Sequence, residues 1–370
     1  MKLAWRELRR RPGRFAVAGV ILTLIAVLLM FLGGLLDGLL AASTGAYRVQ
    51  DADRIVFSEA SRDSLARSRI EPDVRAQVEG AVGDGTVGGL GSVQLGGRLD
   101  GRGPRDLVPV VLFGYELAPQ GLPAEPPADG EVYADKSLEA EGIDVGTEVR
   151  LGPDRTPVTV IGFLDDSQYS GQGTLWGSLG TWRTVLQANR PGETLGDGTV
   201  QALVIRDAPT DPATSAAIDE ATGGATSTLT IDEAIAALPG VEQQQATFNQ
   251  IIGVTVVVAI VVVALFFALL TVERTALYGV LKAIGASSLT LFAGVLLQAV
   301  IITVTASAVG AVAALALDAA IPPGAIPFVA LPGRLASSVA FLLVAAVIGC
   351  AFSFRRVLRV DPAAAIGGSQ

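Results

Sequence analysis

Histidine is absent from this chain, cysteine occurs once and methionine twice. The first absence removes His-based acid–base chemistry, Ser-His and Cys-His nucleophile activation, and every His-containing metal site. The lone cysteine, Cys350, closes no intramolecular disulfide, so a folded domain outside the cell must hold together by its core alone. It sits in an apolar run, where a thiol is an inert packing group. Charged residues make up only 17% of the chain, with a net charge of −9 and no basic patch interleaved with aromatics. That balance excludes nucleic acid as a partner. No Gly-x-x-x-x-Gly-Lys-[Ser/Thr] occurs, nor any Gly-Lys pair, so the chain brings no loop to cradle a nucleotide's phosphates. Nothing in this inventory makes the chain an enzyme, and no metal site is expected.

What the chain has in abundance is apolar length. Half of its residues are hydrophobic and the mean hydropathy is +0.51. Phe15–Leu36, Gln243–Val272, Ala283–Leu317 and Leu335–Phe354 carry no charge. A bilayer-spanning helix needs about 20 such residues. We read four transmembrane helices, at 15–40, 246–272, 288–318 and 335–354. Lys2, Arg6, Arg9, Arg10, Arg11 and Arg14 precede the first, in a basic segment at 1–14, and Arg355, Arg356 and Arg359 follow the last, in a tail at 355–370. The positive-inside rule then places both termini in the cytoplasm. The first apolar run is too long for a signal peptide and lacks a clear cleavage site, so it is read as uncleaved. The connector 319–334 holds Pro322, Pro323, Pro327 and Pro332, which forbid a continuous helix there.

Residues 41–245 differ in kind. They are polar, rich in Gly, Pro and Asp, and contain no segment able to span a bilayer. Short β-branched runs at 53–57, 107–113, 147–151, 157–163 and 199–205 read as strands. Helical signals lie between them: Pro72 at an N1 position, Asp135 before KSLEAEG, and SLGTWRTVLQA at 178–188. This is an α+β extracytoplasmic domain inserted between helices 1 and 2, expected in two lobes, with turns or lobe linkers at 101–104 and 119–130. The fold class is therefore an α-helical membrane protein with an inserted α+β domain. It is expected in a membrane as a multi-pass protein.

The stretch 271–290, TVERTALYGVLKAIGASSLT, organises the rest. Arg274 and Lys282 are the only basic residues between Arg206 and Arg334, which places this junction inside. Leu277, Val280, Leu281 and Ile284 fall at i, i+3, i+4, i+7, one face of a short helix. Gly285 supplies a C-terminal stop, and Ser287 or Ser288 can cap the helix that follows.

Three junctions carry a family resemblance. LAWRELRRRPGRF at 3–15, ERTALYGVLKAIGAS at 273–287 and RRVLRVDPAAAIGG at 355–368 resemble the basic entry, coupling helix and Arg-rich exit of the FtsX-like permease family of ABC transporters. GEVYADKSLEAEGIDVGTEVRLG followed by PVTVIGFLDD is similar to a strand–helix–strand block of that family's ectodomain. The chain departs from the family at Ala276 and Tyr278, which stand where Glu-Ile or similar is common. The resemblance implies a permease subunit that forms a homodimer and binds a separate ABC ATP-binding subunit, which holds ATP and Mg. The contact residues would be Glu273, Arg274, Leu277, Val280, Leu281, Lys282, Ile284 and Gly285. The terminal GGSQ at 367–370 matches part of an ABC signature with no domain around it, a coincidence. Compact four-span permeases of the family include haem-efflux subunits.

Ionisable groups in membrane segments are functional candidates by default. Asp37 lies toward the outer end of the first span, Tyr47 follows it, and Asp318 ends the third. Gly33 and Gly34 permit close packing beside Asp37. Asp37, Tyr47 and Glu59 are the candidates to meet a substrate, including haem iron, since histidine is lacking and methionine scarce. Asp165 and Asp166 read as a turn. The functional expectation is export of a hydrophobic or amphipathic substrate such as haem, a lipid, a drug or a peptide. The alternatives are a mechanical transmitter acting on an extracytoplasmic protein partner such as a cell-wall hydrolase, and a membrane-anchored ectodomain with no ATPase.

Overall fold

The structure, a computed structural model, describes residues 12–83, 85–103, 105–192, 195–209, 211–273, 280–281, 284–321 and 326–358. The chain divides into two compact units.

Among the described residues the first unit holds four long helices: α1 Pro12–Arg48 as far as Asp37, α6 Val241–Glu273 from residue 245 on, α7 Ser288–Ala320 and α8 Pro332–Leu358. Each holds a stretch long and apolar enough to cross a membrane. At 1.5 Å per residue the 37 residues of α1 run about 55 Å. It does not stop at residue 40, as the apolar run alone suggests, and α6 begins at Val241, ahead of residue 246. The helices meet through small residues. A Cβ on Gly310 of α7 would lie 3.0 Å from the Ala26 Cβ of α1, and one on Gly349 of α8 would lie 2.8 Å from Val263 of α6. Leu22, Val263, Phe267, Leu270, Val295, Ile302, Ala346 and Cys350 form one buried cluster among the four. The opposite helix faces, such as Val254, Leu265 and Leu269 of α6, are bare and apolar. An apolar exterior over an apolar interior is the signature of a helix surrounded by lipid.

Among the described residues the second unit, the inserted domain, contains nine strands in one sheet. They are β1 Arg54–Ser58, β2 Thr86–Arg98, β3 Val108–Tyr115, β4 Glu131–Asp135, β5 Glu148–Leu151, β6 Thr156–Leu164, β7 Gly173–Ser178, β8 Ala202–Arg206 and β9 Thr226–Thr230. Among the described residues this is one sheet in one unit, and not the two lobes expected from composition. Six strands instead close on themselves in the order β2-β3-β7-β4-β6-β5 and back to β2. β8, β1 and β9 extend from the first half of β2 as an arm. Residues 101–103 and 119–130 are connections within this one sheet, and Pro104 lies outside the described residues.

Alternation along β3 builds two cores. Val108, Val110 and Leu112 join Val132, Val149, Val160 and Leu175. Val111, Phe113 and Tyr115 join Ile55, Phe57, Trp176 and Val204. α2 Pro72–Val82 starts with Pro72 at N1. α3 Leu179–Asn189 is capped by Ser178, whose Oγ accepts the Thr181 N–H at 2.9 Å. Trp182 of α3 seats on Gly114, where a Cβ would approach its own Cβ to 2.5 Å. α4 Pro212–Ala221 and α5 Ile231–Ala236 complete the unit; Thr230 and Glu233 form a capping box on α5.

The C-terminal end of α1 is bound into this domain. Ala46 N–H donates to the Gln168 carbonyl at 2.9 Å, and Ser170 and Gly171 N–H donate to the Ser43 and Ala42 carbonyls, each at 3.0 Å. Gly45 is needed there, because a Cβ would strike the Asp166 carbonyl. Asp165 and Asp166 belong to the turn that makes these contacts: Asp166 has φ +53°, and Asp165 pairs on the surface with Lys136 at 3.3 Å.

Candidate functional site

Two places in the helical unit bring sequence-selected residues into a defined geometry. The first is the junction between α6 and α7. Arg274, Leu277 and Lys282 lie outside the described residues. Glu273 is the exposed last residue of α6. Val280 and Leu281 are helical, and the Ile284 N–H donates to the Val280 carbonyl at 3.1 Å. Gly285 follows at φ +96°, and the Ala286 N–H reaches back to the Leu281 carbonyl at 2.9 Å. This six-to-one bond with a left-handed glycine is a Schellman stop. Ser287 then caps α7 by accepting the Thr290 N–H at 3.2 Å.

The apolar face read from the sequence divides here. Leu281 packs against the bundle cluster of Phe267, Leu270 and Val295. Val280 and Ile284 point away, Ile284 being 79% exposed. Gly285 meets no atom within 4 Å on its open side. Its conformation, not crowding, demands glycine. The result is a short turn of helix held to the bundle on one side and apolar on the other.

The second place lies within the helical unit, around Asp37 of α1 and the start of α8. Asp37, nearly buried, accepts two nitrogens of Arg334 at the start of α8: Nη2 at 2.6 Å, and Nε at 3.0 and 3.2 Å. The Arg334 stem crosses Gly33, where a Cβ would lie 3.0 Å from it. One residue on, the Phe328 ring covers Gly34, where a Cβ would lie 2.5 Å away, and stacks on Phe31 at 5.6 Å and 20°. Two backbone bonds fasten this strap. Val329 N–H donates to the Gly34 carbonyl and Ala330 N–H to Asp318 Oδ1, both at 3.1 Å. Asp318 is thereby used in a structural bond. Gly33 and Gly34 permit close approach as expected, and their neighbours are Arg334 and Phe328.

Tyr47 and Glu59 are placed elsewhere. Tyr47 is buried in the core of the inserted domain, its ring 5.6 Å from Tyr169, in a cluster with Phe113 and Trp176. Glu59 is exposed and opens a single 3-10 turn after β1. Among the described residues no hydrogen bond or ion pair joins Asp37, Tyr47 and Glu59. The sequence reading missed Arg334 as a partner. Its signal was present: Arg334 is the only basic residue between Lys282 and Arg355.

Comparison with known proteins agrees with this layout. Residues 249–362, covering most of α6, α7 and α8, match the FtsX-like permease C-terminal family. Over its full length the chain is 21% identical to a Staphylococcus epidermidis protein described as a hemin transport system permease, HrtB, covering 100% of both chains. A Staphylococcus haemolyticus protein of the same description is 22% identical, again over 100% of both. An uncharacterized ABC transporter permease of Mycobacterium tuberculosis is 36% identical over 116 residues, 30% of this chain and 31% of that one.

Proposed function

We propose that this chain, which carries an FtsX-like permease domain on a membrane-spanning bundle, is the permease subunit of an ABC transporter in a bacterial cell membrane. It couples ATP hydrolysis in a separate ATP-binding subunit to export of an amphipathic substrate of the haem type. The full-length similarity to hemin permeases supports the substrate class. The observation that carries the coupling role is the junction turn: Val280 and Ile284 stand bare beside a Schellman stop, while Leu281 anchors the same turn to the bundle. An apolar face beside charged residues at a membrane surface is stable when a partner covers it.

In this reading both termini and the α6–α7 junction are cytoplasmic, the inserted domain is extracytoplasmic, and two copies of the chain form the channel. A push on the junction turn moves α6 and α7 together, because Leu281 is packed among residues of both. Motion of the bundle reaches the inserted domain along α1, an unbroken helix whose far end is bonded to the 168–171 turn. Nucleotide chemistry stays in the partner.

The test is co-purification and reconstitution with an ABC ATP-binding subunit from the same operon. We expect a stable complex, haemin-stimulated ATPase activity, and ATP-dependent haemin movement across proteoliposomes. Failure of the chain to associate with any such subunit would overturn the reading.

A further inference from the structure

The geometry points to Arg334 as the residue that binds a carboxylate of the exported amphiphile, with Asp37 holding its guanidinium in place. This rests on the proposed transport of a haem-type molecule and names the contact that would recognise it.

The argument begins with which edge of the guanidinium is occupied. Asp37 takes the Nε and Nη2 edge. Among the described residues Nη1 donates to none, and the end of the fork formed by Nη1 and Nη2 is open for a second carboxylate. The arginine side chain is 31% exposed, against 8% for Asp37. The carboxylate of the pair is thus the buried, fixed member, and the cation is the reachable one. A planar fork with five donors is the side chain best matched to a carboxylate. Its aim is fixed by two features already described: the stem lies over Gly33, and the bidentate bond locks the head.

An apolar wall adjoins it. Phe328 lies over the next residue of α1 and stacks on Phe31, which is itself half-buried. Phe328 is itself buried, so a flat apolar body with a carboxylate at its edge would meet this stack through the Phe31 ring, beside the guanidinium. An ionisable pair in a membrane segment is costly to keep for packing alone. This reading also removes Asp37 from the list of iron ligands: both of its oxygens are engaged by Arg334.

Haemin and haemin dimethyl ester test this, because the ester keeps iron and ring and loses both carboxylates. Each is titrated into the full-length protein, with its ATP-binding subunit, in nanodiscs. We expect the wild type to prefer haemin over the ester by about 10-fold or more, the range of a charge-assisted hydrogen-bonded pair. Arg334→Gln should erase that preference by weakening haemin alone. Asp37→Asn/Arg334→Gln, which leaves no unpaired carboxylate, should behave the same way and controls for misfolding. Asp37→Asn by itself, which loosens the guanidinium but leaves its charge, should lower the preference less than Arg334→Gln does; equal weakening of haemin and ester by it would make Asp37 an iron ligand and overturn the assignment. An unchanged preference in both Arg334 variants would overturn it too, while leaving haem transport standing. No haemin binding by the wild type would remove the substrate and this inference together.

Discussion

Arg334 and Asp37 lie 297 residues apart in the chain and meet with a 2.6 Å bond between Nη2 and Oδ1. The contact fastens α8 to α1 at one end of the bundle. Removing one partner leaves the other charge in an apolar setting, which costs more than removing both. We expect Asp37→Asn and Arg334→Gln each to destabilise the bundle by about 1–3 kcal/mol, discounted for the partial exposure of the arginine. The double variant should lose less than the sum of the two. Thermal unfolding in detergent, arranged as a double-mutant cycle, checks this, and strict additivity would show that the pair does no stabilising.

Gly34 is a packing position for Phe328. A methyl there would enter the Phe328 ring, so Gly34→Ala must displace the strap or bend α1. Overpacking of this kind costs about 1–3 kcal/mol. Adding Phe328→Leu, which withdraws the ring edge, should recover part of that loss. The same unfolding measurement reads it; a Gly34→Ala protein as stable as the wild type would show that the ring moves freely.

Gly285 fixes the direction in which the chain turns into α7. At φ +96° a β-branched residue is strained, at a cost of about 1–2 kcal/mol. Gly285→Val should leave membrane insertion intact and abolish stimulation of the ATP-binding subunit. Gly285→Asn, which tolerates the left-handed region, should retain more of it. Insertion is followed by membrane fractionation and coupling by ATPase rate; full stimulation in the valine variant would contradict the lever.

Ile284 offers a separate test of the same surface. Among the described residues it is the most exposed large apolar side chain of the junction, at 79%. Ile284→Asp should therefore leave thermal stability within about 0.5 kcal/mol of the wild type, the usual range for a surface substitution. It should nevertheless weaken co-purification of the ATP-binding subunit. Leu281→Asp should lower stability as well, because Leu281 is packed.

Glu116 gives the inserted domain an acid-sensitive contact. Burial is the largest influence on it and pushes its carboxyl up. The Arg75 hydrogen bond, the Gly89 N–H at 2.6 Å and the charges of Arg75 and Arg183 together outweigh burial and hold it below the ordinary 4.5. A carboxylate whose folded value is depressed stabilises fully above the unfolded value and loses that contribution as pH falls through the folded one. The stability gap between the wild type and Glu116→Gln should therefore shrink as pH is lowered from about 6 to about 3. Trp176 and Trp182, two of the chain's three tryptophans, report unfolding of this domain by fluorescence. A gap that widens on acidification would reverse the sign.

Uncharged runs of bilayer length specify four helices whatever surrounds them, because backbone groups in lipid must bond within the segment. The stop at Gly285 and the cap at Ser287 were also legible, being local hydrogen-bonding chemistry. So were Pro72 at N1 and a helix over 178–188, which the structure sets at Leu179–Asn189. The strand β2 was not. Its sequence, TVGGLGSVQLGGR, holds five glycines and lacks the β-branched density of a strand. Gly88, Gly91 and Gly96 are required by Leu117, Trp182 and Leu107, side chains that arrive from elsewhere in the chain. Closure of six strands into a ring, which replaces the expected two lobes, is decided by the Gly97–Leu151 and Arg98–Arg150 pairings alone. The pairing of Asp37 with Arg334 is of the same kind. The sequence shows two isolated charges at the ends of separate apolar runs; only the folded bundle sets one against the other, because contact across 297 residues depends on how helices pack and not on spacing along any one of them.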